Sequence, residues 1–508
     1  MGSVKDKPNF EHIEAVASDS GESQPDFSDI DEKKLLRKID LRLVPLFTVL
    51  YLLSFLDRGN IGNAKIEGLA EDLNLHGHQY NLCLTIFFIF YASMEIPCNV
   101  ILRHVKPKVF IPLTMVLWSI VMTLMGTVNN FHQLLATRAL LGIFEAALFP
   151  GISYILSMYY KKNEVLVREA IFFSAASMAG AFSGLLAAGI SQMDGVGGYE
   201  GWRWIFILEG LLTLVFSIVA YFYFPLYPSE CTFLTPRERE FVTYKVKYSS
   251  NSDGLNLKKS AHEAPAPANL GEDDSNSREY VWAVFKDWQS WCMLMVYYGV
   301  CVPLYGISLF APTIVKSLGY ASTKAQLMTA PIYIVAAIFS ILQAIASDKV
   351  GLRSPFLLFN YTCMAIGYII CITLNPKELP NALYGALYIT ALGIYPAFPL
   401  VVIWFSNNLS GAYKRAVGMA FQIGIGNFSG AFASNFYRTE DLPRFILGHS
   451  LELGFISMGI IFLLITIFGY KYSNAKRKRD VAAGKYDSHT EEELRKMGDK
   501  SPYFLYRL

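Results

Sequence analysis

Apolar residues fall in long blocks separated by short polar ones, and that spacing dominates the chain. Segments such as 208–224 and 455–470 run about 16 or 17 residues with scarcely a charge. A helix needs roughly 20 apolar residues to cross the hydrocarbon core of a bilayer. The pattern predicts helices over 41–62, 80–102, 109–128, 131–156, 168–192 and 203–224. A second set follows over 288–312, 325–347, 354–374, 381–405, 414–436 and 445–470. Between the sets lies a polar stretch with a linker composition, including an Ala-Pro alternation at 264–268 and the acidic 272–274. The expectation is an all-α membrane protein with twelve transmembrane helices in two six-helix bundles. Its parts are a disordered tail (1–37), a first bundle (38–224), a linker (225–285), a second bundle (286–470) and a C-terminal tail (471–508).

Within the linker, Thr235-Pro236-Arg237-Glu238 has capping-box spacing with proline at the first helical position, so a short helix is expected to start there. The first 32 residues are polar and acidic, without the basic start and apolar core of a cleavable signal. The first membrane helix is therefore expected to act as the uncleaved insertion signal.

Basic residues orient the bundle. One set of connections carries Lys33, Lys34, Arg37 and Lys38; Arg103, Lys106 and Lys108; Lys161, Lys162 and Arg168; Lys349 and Arg353; Lys414 and Arg415. The first connection on the other side is mainly acidic (Glu67, Glu71, Asp72). The positive-inside bias puts both termini in the cytoplasm. The sequons at Asn360, Asn408 and Asn427 then fall within the membrane or on the cytoplasmic side, away from glycosylation.

Composition agrees. Hydrophobic residues make up 53% and charged residues only 17% of the chain, against about 25% charged in soluble domains. A formal net charge of +2 gives no reason to expect a nucleic-acid partner. The seven cysteines lie mostly inside apolar runs and form no CxxC pair, so they read as small buried hydrophobes. Metal-ligand clusters, nucleophile elbows and phosphate-binding loops are missing, which argues against an enzyme, and no cofactor is expected.

Candidate chemistry lies in the ionisable groups inside apolar segments, where charge costs about 2.5–3.5 kcal/mol on insertion scales. Helix 1 carries Asp57-Arg58-Gly59-Asn60, and helix 4 carries Arg138 and Glu145. Arg138 and Glu145 are seven residues apart and share a helix face. Asp57 and Arg58 point about 100° apart, so at least one looks across the bundle. Arginines facing a polar cavity suit a carboxylate, because guanidinium offers a planar fork of donors. Two carboxylates there suit proton carriage, because a protonated carboxyl has no charge to desolvate. The alternative is a pair of structural ion pairs, Arg58–Asp57 and Arg138–Glu145. Glu95 in helix 2 is a weaker candidate. None of the eight histidines sits clearly mid-membrane.

Asp348-Lys349-Val350-Gly351-Leu352-Arg353, between helices 8 and 9, can clip two helix ends together around a glycine turn. Gly424, Gly426 and Gly430 flank Asn427 in helix 11; small residues mark close helix packing, and Asn427 is a candidate cavity residue. Tyr297, Tyr298 and Tyr305 are either packing residues or a stacking surface for an aromatic substrate.

The Asp348–Arg353 stretch resembles a loop motif of the major facilitator superfamily in its second-half copy. The first-half loop at 103–108 is basic but lacks the Asp and Gly. The string from Phe55 to Ala64, with Arg138 through Glu145, resembles the anion:cation symporter family. Within it the chain is similar to the fungal allantoate permease group, and to high-affinity nicotinic acid permeases in particular. Ala325–Tyr333, 347–355, Trp404–Asn408 and Lys414-Arg415-Ala416 carry the same resemblance. It implies that Arg58 and Arg138, with Asn60 and Asn427, bind a substrate anion. It further implies that Asp57 and Glu145 exchange protons and that Asp348, Lys349, Gly351 and Arg353 form a gate.

The expected activity is proton-coupled uptake of a small organic anion, nicotinate or a related carboxylate, across the plasma membrane by a monomer embedded in lipid. Export of a secondary metabolite and a transporter-like nutrient sensor are the alternatives.

Overall fold

Asp31 starts the first helix: its carboxylate accepts from the backbone N–H groups of Lys33 and Lys34 at 3.1 and 3.2 Å, satisfying donors that a helix start leaves open. The computed structural model describes residues 27, 29–252, 277–410, 412–486, 488–490, 493–494 and 497–508. The first half contains α1 (Glu32–Ile66), α2 (Gln79–His104), α3 (Pro107–Met125), α4 (Phe131–Tyr159), α5 (Lys162–Ile190) and α6 (Gly201–Tyr223). The second contains α7 (Trp288–Ser317), α8 (Ser322–Val350), α9 (Ser354–Thr373), α10 (Pro380–Asn407), α11 (Ala412–Gly426) and α12 (Ile446–Ala482). Helix α4 is interrupted at Ala146–Ala147, and α11 resumes as Ser429–Ala433 after a break at Asn427–Phe428.

Among the described residues, ten of these helices are long and apolar enough to cross a membrane by length and composition. Helices α5 and α11 complete two bundles of six. All twelve expected segments are present. The main departures are that α1 begins at Glu32 and α12 runs on to Ala482, because polar helix extends beyond the apolar run that sets the sequence signal. Side chains such as Ile96, Leu113, Val215, Ile338 and Phe468 are exposed on the perimeter, as apolar groups facing lipid should be.

The halves meet along three seams: α1 with α7, α2 with α11, and α5 with α8. On the side away from the chain ends the seams are closed. Lys316 Nζ and Ser322 Oγ donate to the Ile66 carbonyl at 2.7 and 2.9 Å, and Gln326 Nε2 donates to Glu67 Oε1 at 3.0 Å. Asn81 Nδ2 donates to the Ser434 carbonyl at 2.5 Å. Gly62 permits this closure, since a Cβ there would run into the backbone of Leu309. Gly62→Ala should therefore cost about 1–3 kcal/mol of closure. In that background a cysteine at Ser322 should react with a maleimide roughly tenfold faster; an unchanged rate would mean that the seam does not close at Gly62.

The face carrying the chain ends is laced with charge. Lys161 and Lys245 both pair with Glu32 at 3.0 Å, and Lys245 also pairs with Glu164 at 2.8 Å. The expected linker helix is present as Pro236–Ser252, and its capping box forms: Thr235 N–H donates to Glu238 Oε2 at 2.8 Å, and Glu238 N–H to Thr235 Oγ1 at 3.3 Å. Burial pushes the Glu238 carboxyl up, but the bonds from Lys38 and the Thr235 backbone outweigh it and hold it below the usual carboxylate range. A second linker helix, Ser277–Lys286, has no counterpart in the sequence expectation. The Ala-Pro and acidic stretches, and most of the N-terminal tail, lie outside the described residues.

The C-terminal segment folds back onto the second half. Asp499, buried, accepts from Lys414 Nζ at 2.8 and 2.9 Å, and Lys414 also pairs with the Asp287 carboxylate. Lys414→Met would leave two buried carboxylates facing each other, a loss of about 3–5 kcal/mol. Thermal unfolding in detergent should drop accordingly and recover in part with Asp499→Asn; an unchanged midpoint would contradict the buried pairing.

Candidate functional site

The interrupted helix α4 carries Glu145 at the end of its first segment, with the carboxylate fully buried. Two groups of α1 answer it: Arg58 Nη2 at 2.5 Å and Ser54 Oγ at 2.6 Å, both donating to Oε1. Oε2 has no hydrogen-bond partner among the described residues. Arg58 is itself buried within aromatic rings, its guanidinium carbon lying 4.6 Å from Phe55, 4.8 Å from Tyr91 and 5.6 Å from Phe87. Ring faces stabilise a cation, most of all where water is excluded. Gly142, one turn before Glu145, lets α4 lie against the backbone of α2, which carries two of these rings.

The pairing differs from both ion pairs considered in the sequence. Arg58 takes Glu145 rather than its neighbour, because successive side chains on a helix diverge. Asp57 turns into the first half, where Trp118 Nε1 and Thr213 Oγ1 donate to its Oδ2 at 3.2 and 3.1 Å and Oδ1 is without a partner among the described residues. Arg138 shares the buried face of α4 with Glu145, yet no described residue hydrogen-bonds its Nε or Nη2. It sits near Tyr80 and Cys83 and within electrostatic reach of the carboxylates of Glu145 and Asp57. The carboxylates of Glu145 and Asp57 offset its charge without bonding to it, so two donors of a buried guanidinium stay open among the described residues.

A hydrogen-bonded chain crosses from one half to the other at this level. Arg58 Nη1 reaches Tyr305 Oη at 3.5 Å, Tyr305 donates to Asn427 Oδ1 at 3.2 Å, and Asn427 Nδ2 donates to Glu95 Oε2 at 2.8 Å. Asn427 stands at the break in α11, and interrupted helices are where transporter sites are commonly built. Asn60 does not join this chain. Its Nδ2 donates to Glu209 of α6, and its Oδ1 accepts from Ser183 at 3.3 Å.

A cavity of about 450 Å³ opens beside the site, lined by Phe55, Ser177, Leu304, Tyr395 and, at its outer end, Asp348, Arg353 and Arg507. Phe55 is a shared wall: it lines the cavity, and its ring covers Arg58. At the outer end, Gly351 (φ +73°) caps α8 with its N–H on the Ser347 carbonyl at 2.9 Å, the left-handed turn that glycine adopts most easily. Arg353 then pairs with Asp348 and donates to Ser347 Oγ at 2.7 Å, clipping α8 to α9. Lys349 points outward, exposed.

Sequence reasoning missed Glu209 and Glu452. Both are buried carboxylates in apolar runs, which is the signal that singled out Glu145. Glu209 is the charge inside the otherwise apolar segment 208–224. Of the glycines near Asn427, Gly426 and Gly430 abut Tyr297 and Phe88, in line with close packing, while nothing lies within 4 Å of a Cβ at Gly424. Asn360, Asn408 and Asn427 are all buried, and His449 is buried in the first turn of α12 beside Tyr437.

Two six-helix bundles closed on one side, with a cavity leading toward buried charges, define a membrane transporter. Residues 47–434 match the Major Facilitator Superfamily, and the chain belongs to that family. It is 34% identical over 520 residues to the MFS-type transporter cnsO of Penicillium expansum, covering 100% of this chain and 94% of that one. It is 32% identical over 477 residues to the high-affinity nicotinic acid transporter of Saccharomyces cerevisiae, covering 94% and 85%. Its fold matches the inward-facing, unoccupied structure of a bacterial homologue of the human lysosomal transporter Spinster. The TM-score is 0.59 at 15% identity, over 86% of this chain and 96% of that one.

Proposed function

We propose that this transporter imports a small organic monoanion, nicotinate or a related carboxylate, together with protons, as a member of the allantoate permease group. The observation that carries the proposal is the buried Arg58–Glu145 pair, with two Arg138 donors left open among the described residues on the same face of α4 as Glu145. Arg58 can hold one carboxylate fork at a time. While Glu145 is ionised its Oε1 holds Nη2, one prong of that fork. A proton on Glu145 removes its charge and frees Arg58 for the substrate carboxylate, and Arg138 supplies further donors. Asp57 is a second protonation site, set back between α3 and α6; Asn427 offers an amide beside Tyr305, whereas Asn60, bonded to Glu209 and Ser183, stands apart from the Arg58 chain.

One proton carried with one monoanion moves no net charge, so the pH gradient alone drives accumulation. A second proton would add about 2.3 kcal/mol per 100 mV of membrane potential. Nicotinate is chosen because a relative at 32% identity bears that name and because the rings around Arg58 suit a flat aromatic acid. The face with the chain ends lies in the cytoplasm and the protein works as a monomer in the plasma membrane, with Asp348, Lys349, Gly351 and Arg353 as its cytoplasmic gate.

In cells lacking their own permease, labelled nicotinate uptake should rise as the medium is acidified and collapse with a protonophore. Uptake indifferent to both would contradict proton coupling, and failure to carry nicotinate would return the question to a panel of labelled carboxylates.

A further inference from the structure

The sequence suggests that everything after the last apolar run is a trailing tail. Residues 497–508 instead make a dense set of contacts along the ends of the second-half helices. Asp499 accepts from Lys414 at the start of α11 and from Gln289 Nε2 at the start of α7, the latter at 2.7 Å. Tyr506 stacks on Tyr470 of α12 with ring centroids 4.4 Å apart, and its backbone exchanges bonds with Asn474 at 2.8 and 2.9 Å. The Arg507 carbonyl accepts from Trp404 Nε1 at 2.8 Å and Asn408 Nδ2 at 3.1 Å, and its N–H donates to Asn408 Oδ1 at 2.7 Å, at the end of α10. The Leu508 carbonyl accepts from Arg353 N–H at 2.8 Å, at the start of α9.

The partners are buried, and they compensate one another. Asp499, Ser501 and Tyr506 are each less than a tenth exposed. Five helices (α7, α9, α10, α11 and α12) are tied through one segment, and α8 joins through the Arg353–Asp348 clip. The backbone of residue 507 is pinned, which anchors the root of its side chain: Arg507 lines the cavity together with Arg353. Arg353 is committed to Asp348, whereas no ion pair joins Arg507 to a described residue.

We propose that segment 497–508 is a strap belonging to the gate, which locks the second-half helix ends into one body and delivers Arg507 to the cavity mouth as an anion-attracting residue. This rests on the transporter reading but on no particular cargo. A half that rocks as a unit needs its helix ends held in register. An unpaired guanidinium at the rim of a low-dielectric cleft raises the local concentration of anions. Arg507 would thus help gather or release any anionic solute on this face.

The test reads the local charge directly and needs no substrate. None of the native cysteines lines the cavity, so a single cysteine at Asn407, also on its wall, reports from the mouth. Its rates with two methanethiosulfonate reagents, one bearing a sulfonate and one a quaternary ammonium, are compared in full-length protein. The anionic-to-cationic rate ratio should fall roughly threefold with Arg507→Ala and tenfold with Arg507→Glu at low salt, and the differences should shrink at high salt. Arg507→Lys should hold the ratio. Releasing the strap with Asp499→Asn, or with Tyr506→Ala should the first variant fold poorly, should lower the ratio as Arg507→Ala does. A ratio unmoved by Arg507→Glu would overturn the anion-attracting role. A ratio that responds to Arg507→Glu but to neither strap variant would overturn the strap.

Discussion

Glu145→Gln should abolish uphill, proton-driven uptake while sparing exchange of labelled for unlabelled substrate. Gln keeps the shape of a protonated Glu and removes the charge that holds Arg58, whose Nη2 lies 2.5 Å from the carboxylate. The substrate could then bind without a proton, so binding and translocation persist while the gradient has nothing to act on. One proton per anion across one pH unit supports about tenfold accumulation, equivalent to 1.4 kcal/mol. The variant should reach no more than the outside concentration. Accumulation equal to the parent would mean that Glu145 is a structural partner of Arg58 and carries no proton.

Arg58→Lys should raise KM by roughly ten- to hundredfold, the worth of one charge-assisted hydrogen bond lost from a bidentate pair. Lysine keeps the positive charge and can still answer Glu145, so the fold should hold. It cannot offer two parallel N–H groups to a carboxylate, and its compact ammonium matches the surrounding Phe55, Phe87 and Tyr91 less well than a flat guanidinium. The maximal rate should change less than KM. An unaltered KM would say that Arg58 only neutralises Glu145, leaving anion binding to Arg138.

How much of this was legible beforehand depended on the physical signal. Twelve helices were readable because lipid leaves little room for polar residues, so each span writes an apolar block of fixed length. The helix ends of α1 and α12 were not, since polar helix outside the membrane resembles any other polar segment. Arg58, Arg138 and Glu145 stood out because a charge in an apolar run is costly, and helical spacing put Arg138 and Glu145 on one face. Which carboxylate Arg58 would choose was beyond the sequence: the choice depends on how α1 and α4 are rotated against each other. The Arg58–Tyr305–Asn427–Glu95 chain was hidden for the same reason, as it draws on four helices. Glu209 carries the same signal as Glu145, a lone carboxylate in an apolar run. The strap at 497–508 has no apolar periodicity, and its fixed position comes from buried pairs such as Asp499 with Lys414, 85 residues apart.

The central claim is that a proton on Glu145 exchanges for the substrate at Arg58, and proton uptake on binding tests it most directly. Purified protein is titrated with nicotinate by calorimetry in buffers of different ionisation enthalpy. The expected result is about one proton taken up per anion bound, falling to zero in Glu145→Gln. Binding of nicotinate with no proton uptake in the parent protein would contradict the account.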